Sequence, residues 1–295
     1  MLIKFIVLRV PDKNTSEQLI EWHSYKSTKN TGWYTIFKTI RNYSYFIQKL
    51  VQISILKEFK RSYLGLLWLF ILPVVAALVW VCMNSAGIIN PGKTEVPYPA
   101  YVFLSTSIWG FFIEIYKNTN NIFLSGGRMK LMVRFPYEAF IAEKAIVHLL
   151  RFTIPFVINL IVLLFFDVRF TWTIFLFPFS LFPLFILGMA IGLLVSIFRV
   201  LLEDLAIFAD QAMGFLMFLT PVVYAPDLQL GFLGQLIRIN PLTYLIGFSR
   251  DLLTKGSFYQ PVIWAGCILF SFVFFLLTVR IFIIAEPRVI ERLIK

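Results

Sequence analysis

Long apolar runs, separated by short polar segments, dominate the pattern along this chain. A helix needs about 20 predominantly apolar residues to cross a bilayer, and the runs between charged residues are that long at six places. The predicted spans lie near Leu64–Met83, Ala100–Asn120, Ala145–Phe166, between Arg169 and Arg199, Leu205–Tyr224 and Val262–Ile284. The predicted fold class is therefore an all-α membrane protein with six transmembrane helices in a domain covering residues 63–285.

One further apolar stretch, Leu228–Ser249, does not have the pattern of a span. It is interrupted by Gly231, Gly234, Arg238 and the pair Asn240-Pro241. Irregular backbone at membrane depth is tolerated only where protein or water covers it. The pattern therefore favours re-entrant or interfacial helices over residues 228–249, before the last span.

The segment before the first span has the pattern of an amphipathic helix. Apolar side chains recur every three or four residues at Ile36, Ile40, Tyr43, Ile47, Leu50 and Ile53. Such a helix lies in the membrane surface with its basic residues toward lipid headgroups. We predict this helix and an elbow over residues 34–62, acting either as a plain anchor or as a lever that touches a cytosolic partner. Residues 1–33 form a separate cytosolic segment and 286–295 a cytosolic tail.

Composition narrows the class of protein. Hydrophobic residues make up 59% of the 295 positions and charged residues 15%, against roughly 45–50% and about 25% in soluble domains. This excludes an ordinary soluble enzyme. The 33 Phe, 12 Tyr and 7 Trp exclude a disordered chain, and two cysteines exclude a disulfide scaffold.

The placement of the basic residues predicts the orientation. Of the 27 lysines and arginines, 19 lie on the N-terminal segment, on the loops after spans two and four, and after span six, whereas five lie on the opposite side. Because loops rich in Lys and Arg stay in the cytoplasm, both termini are predicted to be cytoplasmic. Topology and anionic lipid account for the net charge of +11, so no nucleic-acid partner is predicted.

Residues Gly87–Thr94 match the phosphate-loop pattern G-x-x-x-x-G-K-[ST]. That motif requires a buried strand before it and a helix whose N-terminus faces the phosphate after it. Here a membrane helix precedes the pattern, and Pro97 and Pro99 prevent a regular helix from beginning at Thr94. We interpret the segment as a turn. No catalytic residues and no metal site are predicted, since His23 and His148 are far apart and no metal-ligand spacing occurs.

Four ionisable residues, Glu114, Lys117, Arg151 and Asp210, fall within predicted spans. Such residues are rare and usually face the protein interior. One interpretation is a structural ion pair such as Glu114 with Arg151. The functional alternative is a basic cluster of Lys60, Arg61 and Arg151 that attracts a lipid diphosphate from the cytosolic side.

Two rows of mostly aromatic residues provide a candidate substrate path. They are Tyr101, Trp109, Phe112 and Tyr116 in span two, and Phe208, Gln211, Phe215 and Phe218 in span five. A sugar chain can slide over aromatic faces without being trapped by hydrogen bonds. The alternative is that these side chains pack between helices or face lipid.

Five segments together resemble the permease subunits of ABC-2-type exporters for polysaccharides and polyol phosphates, such as O-antigen, capsule and teichoic acid. They are Lys57-Glu-Phe-Lys-Arg-Ser-Tyr-Leu-Gly-Leu-Leu-Trp68 with Pro73, Arg134-Phe-Pro136, Glu203-Asp-Leu205, Leu219-Thr-Pro-Val-Val-Tyr224 and Asn240-Pro-Leu-Thr-Tyr244. Each is short, but their order and spacing on a six-span topology make the resemblance specific. It extends over about Ile47–Ile284.

The resemblance implies a homodimer in the bacterial inner membrane that works with two separate ATP-binding subunits. Those subunits would hold ATP and Mg, so the chain itself would need no cofactor and would not be an enzyme. The implied substrate is a lipid-linked polysaccharide of the O-antigen or capsule type, as in lipopolysaccharide biosynthesis. Alternatives are a teichoic acid or small-amphiphile exporter, a channel without an ATPase, and an embedded enzyme that uses Glu114 and Asp210.

The resemblance also implies roles for particular residues. Contacts with the ATPases would involve Lys57, Glu58, Arg128 and Lys130, and the outer gate Tyr224, Asn240 and Pro241. Spans one and five would form a lateral opening and line the conduit. The acidic-basic step that the family carries before span five is altered here to Leu202-Glu-Asp204, with the base at Arg199, which leaves the partner of that arginine open.

Overall fold

The computed structural model describes residues 33–61, 65–94, 96–125, 136–226 and 231–294, with side chains throughout except at 58–61, 65–70, 72 and 294. Every regular element in these ranges is helical. The helices are α1 (Trp33–Asn42), α2 (Ser44–Arg61), α3 (Gly65–Ser85), α4 (Tyr98–Asn120), α5 (Tyr137–Phe165), α6 (Phe177–Ser180), α7 (Phe182–Leu201), α8 (Glu203–Leu216), α9 (Phe232–Ile239), α10 (Pro241–Thr254) and α11 (Pro261–Ile294). A 3₁₀-helix, Trp172–Leu176, directly precedes α6.

Among the described residues, three helical stretches are long and apolar enough to cross a membrane, judged by length and composition. They are Tyr137–Phe165, Trp172–Leu201 and Pro261–Leu293, and they coincide with the third, fourth and sixth predicted spans. Helices α3 and α4 cover the first and second predicted spans. The all-helical class is confirmed, whereas the total of six spans stays a prediction.

Helix α7 is the centre of the core and packs against both α4 and α11. Its closest approach to α4 occurs at Gly188 and Gly192, four residues apart on one face. A Cβ on Gly188 would lie 2.7 Å from Ile115 Cγ2, and one on Gly192 would overlap Thr119 Oγ1. Small residues at this spacing let membrane helices approach closely. The two glycines therefore set the distance between α4 and α7.

The predicted amphipathic helix forms two helices, because α1 ends at Asn42 and α2 begins at Ser44. Ile47 and Val51 are buried against Ala139 and Val147 of α5, so the apolar face packs on protein. Ile53 was expected on that face but is 59% exposed. At about 100° per residue, Ile53 lies about 120° around the helix from Ile47, which explains the error.

The fifth predicted span, Leu205–Tyr224, is helical only as far as Leu216, and turns follow. A helix of 14 residues is about 21 Å long, which is shorter than the roughly 30 Å hydrocarbon core. Pro221 lacks an N–H donor and disfavours helical backbone at the residue before it. The predicted C-terminal end of this helix was therefore wrong.

The interrupted segment forms two short helices, α9 and α10, joined at Asn240. The Asn240 side chain accepts a hydrogen bond from Leu242 N at 3.0 Å, and Pro241 occupies the first position of α10, which is a favourable start for a helix. The break was predicted correctly, but α10 continues to Thr254. Residues 227–230, where the predicted segment begins, lie outside the described residues.

The phosphate-loop-like segment is a turn, as predicted. It follows α3, and α4 begins only at Tyr98, after Pro97. Gly87 and Gly92 have φ values of 71° and 78°, a backbone region that favours glycine. The glycines of the motif thus shape a connection between two helices.

Candidate functional site

The aromatic row of α4 is buried within the subunit. Tyr101, Trp109, Phe112 and Tyr116 are each at most 7% exposed, and the rings of Trp109 and Phe112 lie 5.5 Å apart between centroids. In a single subunit these side chains pack between helices. Their role in a substrate path stays a prediction.

The row on α8 is placed differently. Phe208, Phe215 and Phe218 are 69%, 69% and 56% exposed, and Gln211 is exposed as well. We call these four residues the α8 stripe, of which Phe208, Gln211 and Phe215 lie on α8 and Phe218 lies in the turn just after it. At its end, the ring of Phe218 lies 6.2 Å from that of Trp80 in α3. The structure therefore places Trp80 of predicted span one next to Phe218 of predicted span five.

The opposite face of α8 is fixed to the core by polar contacts around Asp210. Its carboxylate accepts hydrogen bonds from Tyr116 Oη at 2.6 Å and Asn120 Nδ2 at 2.8 Å. It also forms an ion pair with Arg199, whose Nε donates to the Asn120 carbonyl at 3.2 Å. These four residues, the Asp210 cluster, join α4, α7 and α8.

The Asp210 cluster answers the question that the altered acidic-basic step left open. Arg199 pairs with Asp210, eleven residues further along the chain. Glu203 and Asp204 are exposed in the first turn of α8, where negative charge is favourable at a helix N-terminus. Asp210 therefore stabilises the core, and its carboxylate is engaged in the ion pair and two hydrogen bonds.

The predicted ion pair between Glu114 and Arg151 is confirmed. Arg151 Nη1 lies 3.3 Å from Glu114 Oε1, and His148 Nδ1 lies 3.8 Å from the other carboxylate oxygen. Asn118 also hydrogen-bonds Glu114. The contact joins α4 to α5 and leaves Glu114, like Asp210, engaged with neighbouring side chains.

A cavity of about 270 Å³ opens between α2, α4 and α5. It is lined by Ser54, Lys57, Asn118, Glu143, Lys144, Val147 and Arg151. Lys57, predicted to contact an ATPase, and Arg151, predicted to attract a diphosphate, thus lie on the same cavity. Lys117 is exposed elsewhere on α4.

Several predicted residues lie outside the described part of the chain. They are the side chains of Glu58, Lys60 and Arg61, and residues Arg128 and Lys130 within 126–135. Their predicted contacts with a lipid diphosphate or with ATPases stay predictions.

The turn that follows α8 depends on hydrogen bonds from distant elements. Tyr101 Oη donates to the Tyr224 carbonyl at 2.8 Å, and Tyr98 Oη donates to that of Val223 at 3.1 Å. Asn240 Nδ2 donates to the Leu219 carbonyl at 3.0 Å. Backbone groups outside a helix need such partners when they are buried. Tyr224 and Asn240, predicted at an outer gate, both belong to this arrangement.

A group of polar and charged residues, the Arg250 cluster, lies behind the turn. It consists of Tyr101, Arg250 and Asp251, which are buried, and Lys255, which is partly exposed. Arg250 is 3% exposed, and its Nη1 donates to Tyr101 Oη at 2.6 Å and to the Pro221 carbonyl at 3.1 Å. Lys255 forms an ion pair with Asp251, with 2.8 Å between Nζ and Oδ2. Burial lowers the pKa of Lys255 from its ordinary value.

Sequence reasoning missed the Arg250 cluster, because it used Arg250 and Lys255 only to assign orientation. A signal was present, since charged residues amid apolar sequence in a membrane protein usually face the interior and find partners. Within the described ranges, no group of three or more His, Cys, Asp or Glu could hold a metal ion.

Comparison with known proteins gives two matches. Residues 45–254 match the family described as ABC-2 type transporter. The O-antigen export system permease protein RfbA of Myxococcus xanthus is 21% identical over 190 residues, which cover 64% of this chain and 72% of the relative.

Proposed function

Because the chain belongs to the ABC-2 type transporter family, we propose that it is the permease subunit of an exporter for a lipid-linked polysaccharide. Membership makes it a multi-pass membrane protein and a transporter subunit rather than an enzyme. The energy source is then ATP, bound by partner ATPase subunits. The observation that carries the proposed substrate is the similarity to a permease named for O-antigen export.

The α8 stripe supports a polymeric sugar substrate. Its three phenylalanines are more than half exposed, and the face of α8 opposite Phe208 and Phe215 is held by the Asp210 cluster. A rigid helix with an open aromatic face offers a surface along which a sugar chain moves by stacking contacts. The polymer would pass between the α8 stripe and α3, with the buried aromatic row of α4 becoming accessible only if helices separate.

The proposed topology has six spans with both termini in the cytoplasm of a bacterial cell and the spans in its inner membrane. Residues 1–33 form a cytosolic segment, 34–62 the interface helices and elbow, 63–285 the transmembrane domain, and 286–295 a tail. The α9–α10 pair would be re-entrant from the outer side, since each helix is too short to span. Its junction at Asn240 and Pro241, with Tyr224, would form the outer gate.

The proposed assembly is a homodimer with two ATP-binding subunits. Lys57, Glu58, Arg128 and Lys130 would contact the ATPases, and the diphosphate of the substrate would enter near Lys60, Arg61 and Arg151. Because α2 packs directly on α5, a push on α2 would be transmitted to the transmembrane helices without an intervening loop.

Reconstitution tests the proposal. The chain and its ATPase are placed in vesicles that contain a lipid-linked polysaccharide, and polymer on the far side is measured with a membrane-impermeant lectin. The proposal expects flux that requires ATP and stops when the ATPase cannot hydrolyse it. Flux without ATP, or ATP-dependent movement of small lipids but not of the polymer, would contradict it.

A further inference from the structure

The cavity between α2, α4 and α5 has the features of an anion site. One wall is apolar at Val147, and hydrogen-bonding groups are supplied by Ser54 and Asn118. The cavity volume of about 270 Å³ far exceeds the space that one water molecule needs. It is large enough for a phosphate or diphosphate group with its bound water.

The charges that line this cavity are predominantly positive. Lys57, Lys144 and Arg151 line it beside one carboxylate, Glu143, and Arg151 is also ion-paired with Glu114 at 3.3 Å. The Glu143 carboxylate is only 2% exposed and is already held by Ser54 Oγ at 2.6 Å and Lys144 Nζ at 3.4 Å. Lys57 has no ion-pair partner among the described side chains. Because Lys144 is paired with Glu143 and Arg151 with Glu114, the positive charge that stays unbalanced at the cavity is that of Lys57.

We propose that this cavity binds the phosphate group of a membrane amphiphile through Lys57, Lys144 and Arg151. The charge, the volume and the polar groups match that chemistry, since phosphates are held by several Lys and Arg donors. The phosphate belongs either to an anionic bilayer phospholipid or to the lipid diphosphate of the substrate. The second source rests on the proposed function, whereas the first does not.

Because the cavity lies between α2 and two other helices, a bound phosphate group would affect how α2 is held. Its lining comes from α2 on one side and from α4 and α5 on the other, at the C-terminal half of α2. Ile47 and Val51 already pack the earlier part of α2 on α5. A bound phosphate would extend that contact by bridging Lys57 to Lys144 and Arg151, so occupancy would hold the end of α2 against the transmembrane helices.

Binding measurements on the purified full-length chain test the site. The probes are phosphatidylglycerol, a polyprenyl diphosphate, diacylglycerol without phosphate, and inorganic phosphate, each titrated in detergent and followed by native mass spectrometry. We expect the phosphate-bearing amphiphiles to bind and diacylglycerol not to bind. The double variant Lys57→Gln, Lys144→Gln should weaken binding roughly tenfold or more, because charge-assisted hydrogen bonds are lost.

Lys49→Gln is the matched control for the single variant Lys57→Gln, because it removes one positive charge from an exposed position of α2 outside the cavity. It should bind as the wild type does. The single variant Lys57→Gln guards against misfolding, since Lys57 is exposed and has no ion-pair partner among the described side chains.

Equal binding by the cavity variants and the wild type would overturn the site. An equal loss in Lys49→Gln would also overturn it, because general surface charge would then explain the binding. Binding of inorganic phosphate without either amphiphile would likewise refute it. A preference for phosphatidylglycerol identifies a bilayer lipid, and a preference for the diphosphate identifies the substrate. These results are independent of the export assay, so either proposal can fail alone.

Discussion

The guanidinium of Arg250 donates a hydrogen bond to the Tyr101 hydroxyl at 2.6 Å and also lies 4.5 Å above the centre of the same ring. The two residues are 149 positions apart and connect α10 to α4. The same hydroxyl in turn donates a hydrogen bond to the Tyr224 carbonyl. One side chain therefore links a buried cation with the turn proposed to form the outer gate.

Tyr101→Phe should destabilise the protein by about 1–3 kcal/mol, because a buried arginine and a buried carbonyl each lose a partner. The ring, and with it most of the cation–π contact, is kept. Thermal unfolding of the purified protein in detergent measures the change. Tyr45→Phe, at a 57% exposed position on α2, is the control and should be neutral. A Tyr101→Phe protein as stable as this control would contradict the linking role.

Gly192→Ala should be destabilising by about 1–3 kcal/mol, as expected for overpacking. The added methyl group would meet Thr119 Oγ1 and the Tyr116 carbonyl at the closest approach of α4 and α7. Gly214→Ala on α8 is the control, because nothing lies within 4 Å of a Cβ there. Glycine costs a helix up to about 1 kcal/mol relative to alanine, so the control should be neutral or stabilising. The same unfolding assay compares them.

Asp210→Asn should release α8 from the core. The variant keeps the size of the side chain but removes the charge that pairs with Arg199, which is only 14% exposed in its side chain. We expect a loss of about 1–3 kcal/mol, together with faster hydrogen exchange along α8. Glu203→Gln removes an exposed acid from the first turn of the same helix and should cost less, about 0.3–1 kcal/mol, with little change in exchange along α8. Unaltered exchange in Asp210→Asn would show that α8 is held by apolar packing alone.

Phe215→Ala tests the α8 stripe and rests on the proposed export function. Because Phe215 is 69% exposed, its removal should leave the unfolding temperature within a few degrees of the wild type. Export of polymer by reconstituted vesicles should fall severalfold if the ring contacts the moving chain. Phe175→Ala, at a 78% exposed position away from the stripe, should export normally. Equal export by both variants would assign the stripe to contact with lipid.

The apolar runs predicted the positions of most helices because their lengths are fixed by the thickness of the bilayer. The Glu114–Arg151 ion pair was also predictable, since two opposite charges placed in neighbouring spans have few other partners. The end of α8 was missed because hydrophobicity continues past Leu216 while Pro221 interrupts the backbone. Composition outweighed backbone geometry in that prediction.

The functional clusters were less accessible to sequence reasoning. Tyr101 and Arg250 are joined only by the fold, and no periodicity relates positions so far apart. The spacing of Gly188 and Gly192 indicates close helix packing, but it does not show which helix packs there. Exposure of the α8 stripe depends on which face of α8 meets Tyr116 and Val195, and that is a property of the packed molecule.

Residues 217–226, which follow α8, are held by hydrogen bonds with α4, with α10 and with the carbonyl of Pro91, to which Ala225 N donates at 2.7 Å. A helix resists unwinding because neighbouring bonds in its ladder form and break together. Hydrogen bonds between the turn and distant residues do not form and break together in this way, so each can be replaced separately. Reshaping at this position can therefore proceed in small steps, with the flanking helices intact throughout.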